Sequence, residues 1–154
     1  VRCISETDTY TATPQRLKRE NQLSQLAPLH QRAMNAALEA IDLAQCNEVK
    51  IAGCLPPLVA SYRPEVSLSF DNSLATYRRL VELQSPASDL FICETMSSIT
   101  EAQAACTAAL ESGKPVWLAL TVSDDHPEQL RSGESLKDAL QALECFDTQA
   151  TLLN

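Results

Sequence analysis

The sequence predicts an α/β fold built on a parallel sheet, and three observations point there. Short apolar runs alternate with stretches of helical periodicity, no hairpin signal joins neighbouring runs, and the run 115–122 is apolar at nearly every position. An unbroken apolar run suits a strand covered on both faces, as in parallel sheets flanked by helices.

Taken in order, residues 2–9 read as a first strand, followed by a polar, mixed stretch over 14–27. From Pro28, Leu29, Ala33, Ala36, Ala37, Ala40, Ile41 and Ala44 recur at helical spacing, which predicts an amphipathic helix ending near Cys46. Residues 49–53 form a short β-rich run closed by Leu55-Pro56-Pro57, whose prolines cannot extend a ladder. Asp71 is placed to cap a helix carrying Leu74, Tyr77, Leu80 and Val81 on one face.

A third strand is expected over 89–94, and Ser98-Ile99-Thr100-Glu101 fits a capping box that opens an alanine-rich helix ended by Gly113. The strand 115–122 follows, then a helix with Leu136, Ala139, Leu140 and Leu143, and finally a strand over 150–154. The order is β-α-β-α-β-α-β-α-β with right-handed crossovers. Two architectures fit it: an open doubly wound sheet, complete at this length, or part of a (β/α)8 barrel of about 250 residues. The chain opens and closes inside strands, which favours the barrel, read here as one incomplete domain over 1–154.

Composition narrows the function classes. Apolar residues are 45% and charged residues 21%, values of a chain that folds. The net charge is -8 and no basic cluster exceeds Arg78-Arg79, which argues against a nucleic-acid partner. No apolar run is long enough to span a membrane and no leader pattern opens the chain, so a cytoplasmic location is expected. The six cysteines lack CxxC spacing and read mostly as small buried hydrophobes.

In parallel α/β folds the chemistry gathers at the carboxyl ends of the strands. Here those ends offer Thr9, Tyr10, Gly53, Cys54, Glu94, Thr95, Thr121 and Asn154. Any one of these is polar simply because loops are wet, and only their convergence argues for a site. Glu94 stands out: by strand alternation it shares a face with Leu90 and Ile92, away from Phe91 and Cys93. A carboxylate at an apolar mouth can take a substrate ammonium; the blander reading is a surface ion pair. Cys93 is expected to pack under a helix, Cys54 reads as a structural thiol, and His30 and His126 read as solvated.

Four blocks carry a resemblance to the homocysteine S-methyltransferase family. They are Asp8-Thr9-Tyr10-Thr11-Ala12-Thr13; Ala52-Gly53-Cys54-Leu55-Pro56-Pro57-Leu58 with Ser61-Tyr62-Arg63-Pro64-Glu65; Glu94-Thr95-Met96-Ser97-Ser98-Ile99; and Lys114-Pro115-Val116-Trp117-Leu118-Ala119-Leu120-Thr121. Asp8 departs from the family's commoner Asn. The resemblance implies a partial (β/α)8 barrel with parallel strands two to six and intervening helices. It also implies methyl transfer from S-methylmethionine, S-adenosylmethionine or betaine to the zinc-bound thiolate of homocysteine, giving methionine.

By the same resemblance, Glu94 holds the homocysteine amino group, Tyr10 lies near the methyl donor, and Thr9 and Thr121 line the substrate pocket. The family's Zn²⁺ is held by three cysteines, one just after the sixth strand and two at the eighth. None of the six cysteines here matches a ligand position, so the chain by itself is expected to be inactive. The alternative is a self-contained five-stranded α/β binding module without catalysis.

Overall fold

The computed structural model describes residues 3–45 and 48–154. Among them, five parallel strands form one sheet in the order β1-β2-β3-β4-β5. The strands are β1 (Ile4–Glu6), β2 (Lys50–Leu55), β3 (Leu90–Met96), β4 (Val116–Leu120) and β5 (Ala150–Leu153). Each pairs only with the strands beside it in sequence. A doubly wound sheet needs a reversal in strand order, and this sheet has none; singly wound order is that of a barrel segment.

The helices are α1 (Pro14–Arg19), α2 (Leu26–Ala44), α3 (Phe70–Gln84), α4 (Ile99–Leu110) and α5 (Leu136–Leu143). Helix α1 falls in the polar, mixed stretch over 14–27. Thr13 caps it, accepting from the Arg16 N–H at 3.3 Å, and Pro14 sits in the first turn, where its missing donor is harmless. Helix α3 begins one residue before Asp71, with Ser69 at the N-cap position, so Asp71 lies in the first turn and not at the cap. Its carboxylate there favours the positive end of the helix dipole. The capping box at α4 forms as expected, with the Ser98 Oγ accepting from the Glu101 N–H at 3.2 Å. The chain leaves α4 through Gly113, whose φ of 73° costs a glycine nothing.

Two expectations about the first third of the chain need correction. Strand β1 ends at Glu6, not at residue 9: Thr7 and Thr9 read as strand by β-branching, but both hydroxyls turn onto Gln84. On α2 the buried residues are Leu26, His30 and Met34, whereas Ala33, Ala36, Ala37 and Ala40 line an open groove beside Ser5–Asp8. His30 is therefore not solvated. It is 1% exposed, its Nε2 meets the Ala12 carbonyl at 2.9 Å, and burial lowers its pKa from the usual value. The expected start of the first strand at Arg2 and the expected helix end near Cys46 lie outside the described residues.

The core sits between the sheet and α3–α4. Tyr77, Leu80, Phe91, Cys93, Met96, Leu118 and Leu120 are fully or almost fully buried there against the alanines of α4. Cys93 packs under a helix, beside Cys106 of α4. Gly53 is required in β2 because a Cβ would lie 2.5 Å from the Phe91 ring. The opposite face carries a second, smaller cluster of Ala52, Leu90 and Ile92, with Ile4 and Trp117 packed against it. Leu90 and Ile92 thus occupy the inner face, and Phe91 and Cys93 the helix face, as strand alternation required.

Candidate active site at the carboxyl ends of the strands

The strand register assembles the inner mouth of the sheet. Glu6 pairs with Ala52, Cys54 pairs with Ile92, and Glu94 lies two residues beyond Ile92 on the same face. Glu6 therefore meets the Cys54 thiol and the Glu94 carboxylate. Burial pushes the Glu6 carboxyl up to about 7; the Cys54 thiol opposes that rise and the neighbouring Glu94 adds to it. Cys54 is 1% exposed, and burial with the two carboxylates pushes its thiol pKa far up, so it is a structural thiol and not a nucleophile.

Glu94 is half-buried, and none of the ion pairs among the described residues includes it. The Thr95 hydroxyl donates to its Oε2 at 3.4 Å, and the Glu6 carboxyl lies within hydrogen-bonding reach of it. Thr121 stands at the end of β4, 1% exposed, and its hydroxyl donates to the Asn154 Oδ1 at 2.8 Å.

Tyr10 sits in the turn after β1. Its hydroxyl is 2.8 Å from the Ser61 Oγ, and the Arg16 guanidinium lies over its ring at 5.5 Å. The hydroxyl of Thr9 does not open onto the mouth. It donates to the Gln84 Oε1 at 3.2 Å, in a residue only 2% exposed. The structure therefore brings Glu94 together with Glu6 and Cys54, places Thr121 with Asn154, and sets Thr9 in the wall behind them.

Sequence reasoning missed Glu6 and Gln84. Gln84 ends α3 fully buried; its Oε1 accepts from Thr7, Thr9 and the Cys54 N–H, and its Nε2 donates to the Cys54 carbonyl at 2.8 Å. One side chain thereby fixes the ends of β1 and β2 relative to each other. Glu6 was legible in principle, because it shares strand parity with Ile4; the over-long first strand hid it.

The loops above the mouth are tied to one another. The Arg16 Nη2 donates to the Pro57 carbonyl at 3.0 Å and the Tyr77 hydroxyl to the Pro56 carbonyl at 3.0 Å, so the proline pair following β2 serves as an anchor. The Arg131 guanidinium lies 4.7 Å from the Tyr62 ring centre and makes two bonds to Asp124 at 2.8 and 2.9 Å. Glu101, buried at the start of α4, accepts from the Ser97 N–H at 3.2 Å, and burial pushes its carboxyl up to about 7. Among the described residues no group of three or more His, Cys, Asp or Glu side chains could hold a metal ion. No helix among them is long and apolar enough to cross a membrane.

The fold is similar to that of the apo homocysteine methyltransferase MmuM from Escherichia coli, with a TM-score of 0.64 and 23% sequence identity. The match covers 98% of this chain and 55% of that protein, so the chain spans about half of its length. None of the curated proteins compared matches the chain. The family model described as homocysteine S-methyltransferase matches residues 2–154, and on that match the chain belongs to the homocysteine S-methyltransferase family.

Proposed function

We propose that residues 1–154 form one incomplete homocysteine-binding domain, strands two to six of a (β/α)8 barrel that methylates homocysteine to methionine in the cytoplasm. The observation that carries this reading is the half-buried Glu94 carboxylate, unpaired with any cation among the described residues and set above the apolar inner face of Leu90 and Ile92. An amino-acid ammonium supplies the missing positive charge. Such an interaction is strong because the site is partly shielded from water.

In this reading Glu94 receives the ammonium of homocysteine, with the Glu6 carboxyl beside it. Thr121 and Asn154 line the next part of the mouth, and Tyr10 stands on the donor side, where its ring can face a cationic methyl donor of the S-methylmethionine, S-adenosylmethionine or betaine type. Thr9 acts from the wall, through Gln84. Both substrates are small molecules, and no nucleic acid takes part.

The Zn²⁺ that the family resemblance implies finds no fitting ligand set among the described residues. Cys54, Cys93 and Cys106 are buried thiols, and Cys3 and Cys145 are exposed, one just before β1 and the other just after α5. No step is assigned to the metal on this chain; its residues bind and orient the substrate. The 154-residue chain alone is accordingly proposed to be inactive.

The test is methyl transfer to L-homocysteine from each of the three donors, by the protein as its gene encodes it and by the 154-residue chain in parallel. Product from the former, and loss of homocysteine binding in Glu94→Gln measured by titration calorimetry, are the expected results. Unaltered homocysteine binding by that variant would sink the assignment of Glu94.

A further inference from the structure

Strand β3 breaks its own alternation at the site. Leu90, Ile92 and Glu94 point to the inner face, and a regular strand would send Met96 there too. Met96 instead is fully buried in the helix-side core, where its sulfur takes the Tyr77 hydroxyl at 3.9 Å. The ladder shows where the slip occurs: Cys93 pairs with Leu118 and Met96 with Leu120, three steps on β3 against two on β4. One extra residue is inserted at Glu94-Thr95, a β-bulge.

The bulge turns on Thr95, which has φ of 58°. That left-handed conformation is ordinary for glycine, tolerated by Asn and Asp, and an outlier for a β-branched residue. Thr95 is also 3% exposed, so its strain is held by the surrounding structure and not by an open surface turn. A glycine would close the same bulge without strain. What threonine adds is its hydroxyl, which donates to the Glu94 Oε2 at 3.4 Å, while the Thr95 carbonyl accepts from the Ser97 Oγ at 3.4 Å.

We infer that Thr95 is a positioning residue for Glu94: its left-handed turn and its hydroxyl on Oε2 together aim the carboxylate, with Glu6 beside it, at the mouth where the substrate ammonium is received. This rests on the reading of Glu94 as the ammonium ligand. The strain at Thr95 is then part of how the site is built, since bulges beside active sites re-aim side chains.

The experiment compares Thr95→Gly, Thr95→Ser and Glu94→Gln in the protein as its gene encodes it, measuring KM for homocysteine, kcat and melting temperature. Thr95→Gly is expected to melt at or above the parent temperature, because glycine adopts this φ freely, while KM rises about 5-fold and kcat barely moves. Thr95→Ser, which keeps the hydroxyl, is expected to restore KM. Glu94→Gln is expected to raise KM further.

An unchanged KM in Thr95→Gly beside a raised KM in Glu94→Gln overturns the inference and leaves Glu94 as the ligand. An unchanged KM in Glu94→Gln overturns the reading of Glu94 and the role of Thr95 with it. A lower melting temperature with kcat and KM both impaired in Thr95→Gly makes Thr95 a structural residue only, and failure of Thr95→Ser to restore KM removes the hydroxyl from the account.

Discussion

The two faces of the sheet solve opposite problems. On the helix side, Phe91, Cys93, Met96, Leu118 and Leu120 are sealed by α3 and α4, and the buried Gln84 has partners on both its oxygen and its nitrogen. On the inner side, two carboxylates and a thiol lie together at the mouth with no cation paired to Glu94 among the described residues. The first face is complete in itself, whereas the second, in the proposed reading, takes a charged partner. Stability and function are thus separated by strand parity alone.

The largest effect is expected on the sealed face. Gln84→Ala strands the Cys54 N–H and carbonyl and the Thr7 and Thr9 hydroxyls in a dry environment, and chemical denaturation is expected to show a loss of about 3 kcal/mol. A loss no larger than that of an ordinary surface substitution would mean that water reaches those groups, and the contrast between the faces would fail.

A smaller, pH-dependent effect of opposite sign is expected at the mouth. Glu6 has its folded pKa raised from 4.5 to about 7, so the folded state binds the proton more tightly than the unfolded chain. The stability tied to this proton is fully present below pH 4.5 and is lost as pH rises through about 7. Glu6→Gln is therefore expected to stabilise the protein at pH 8 by about 1 kcal/mol, after discounting for solvent screening of a partly exposed group, and to leave it unchanged at pH 4. Equal stabilisation at both pH values would remove ionisation as the cause.

The smallest effect lies outside both faces. Arg78 and Glu111 form a two-bonded pair at 2.7 and 2.5 Å on the solvent side of α3 and α4, and Arg78→Ala is expected to leave the melting temperature unchanged within error, because exposed pairs add little.

The sequence made the parallel alternation and the inner placement of Glu94 legible because both follow from short-range periodicity. The order of elements, the apolar β4, the capping box at Ser98 and the packing of Cys93 could all be read this way. The rest depended on partners distant in sequence. Thr7 and Thr9 leave the strand because a glutamine some seventy-five residues later takes their hydroxyls. His30 looked polar and exposed, yet the Ala12 carbonyl offers it a bond in the interior. The alanines of α2 looked like a core face, while larger side chains one position along, Met34 and His30, filled the core instead. The bulge at Thr95 left no mark in composition, since a β-branched residue is the last one periodicity would assign to a left-handed turn.

The unbroken strand order has a consequence for how this molecule acquires its shape. Each strand touches the one before and the one after, and α3 packs on α4 as α4 packs on α5. Such a layout resembles a stacked array, in which ordering starts where neighbours are mutually reinforcing and propagates outward. In the 154-residue chain by itself that nucleus is expected at α3–β3–α4, where the packing is densest, with β1 and β5, each with one neighbour among the described strands, expected to join last. Backbone amides of that 154-residue chain are accordingly expected to exchange with solvent fastest in β1 and β5 and slowest in the middle of the sheet, a gradient of protection laid out along the sequence.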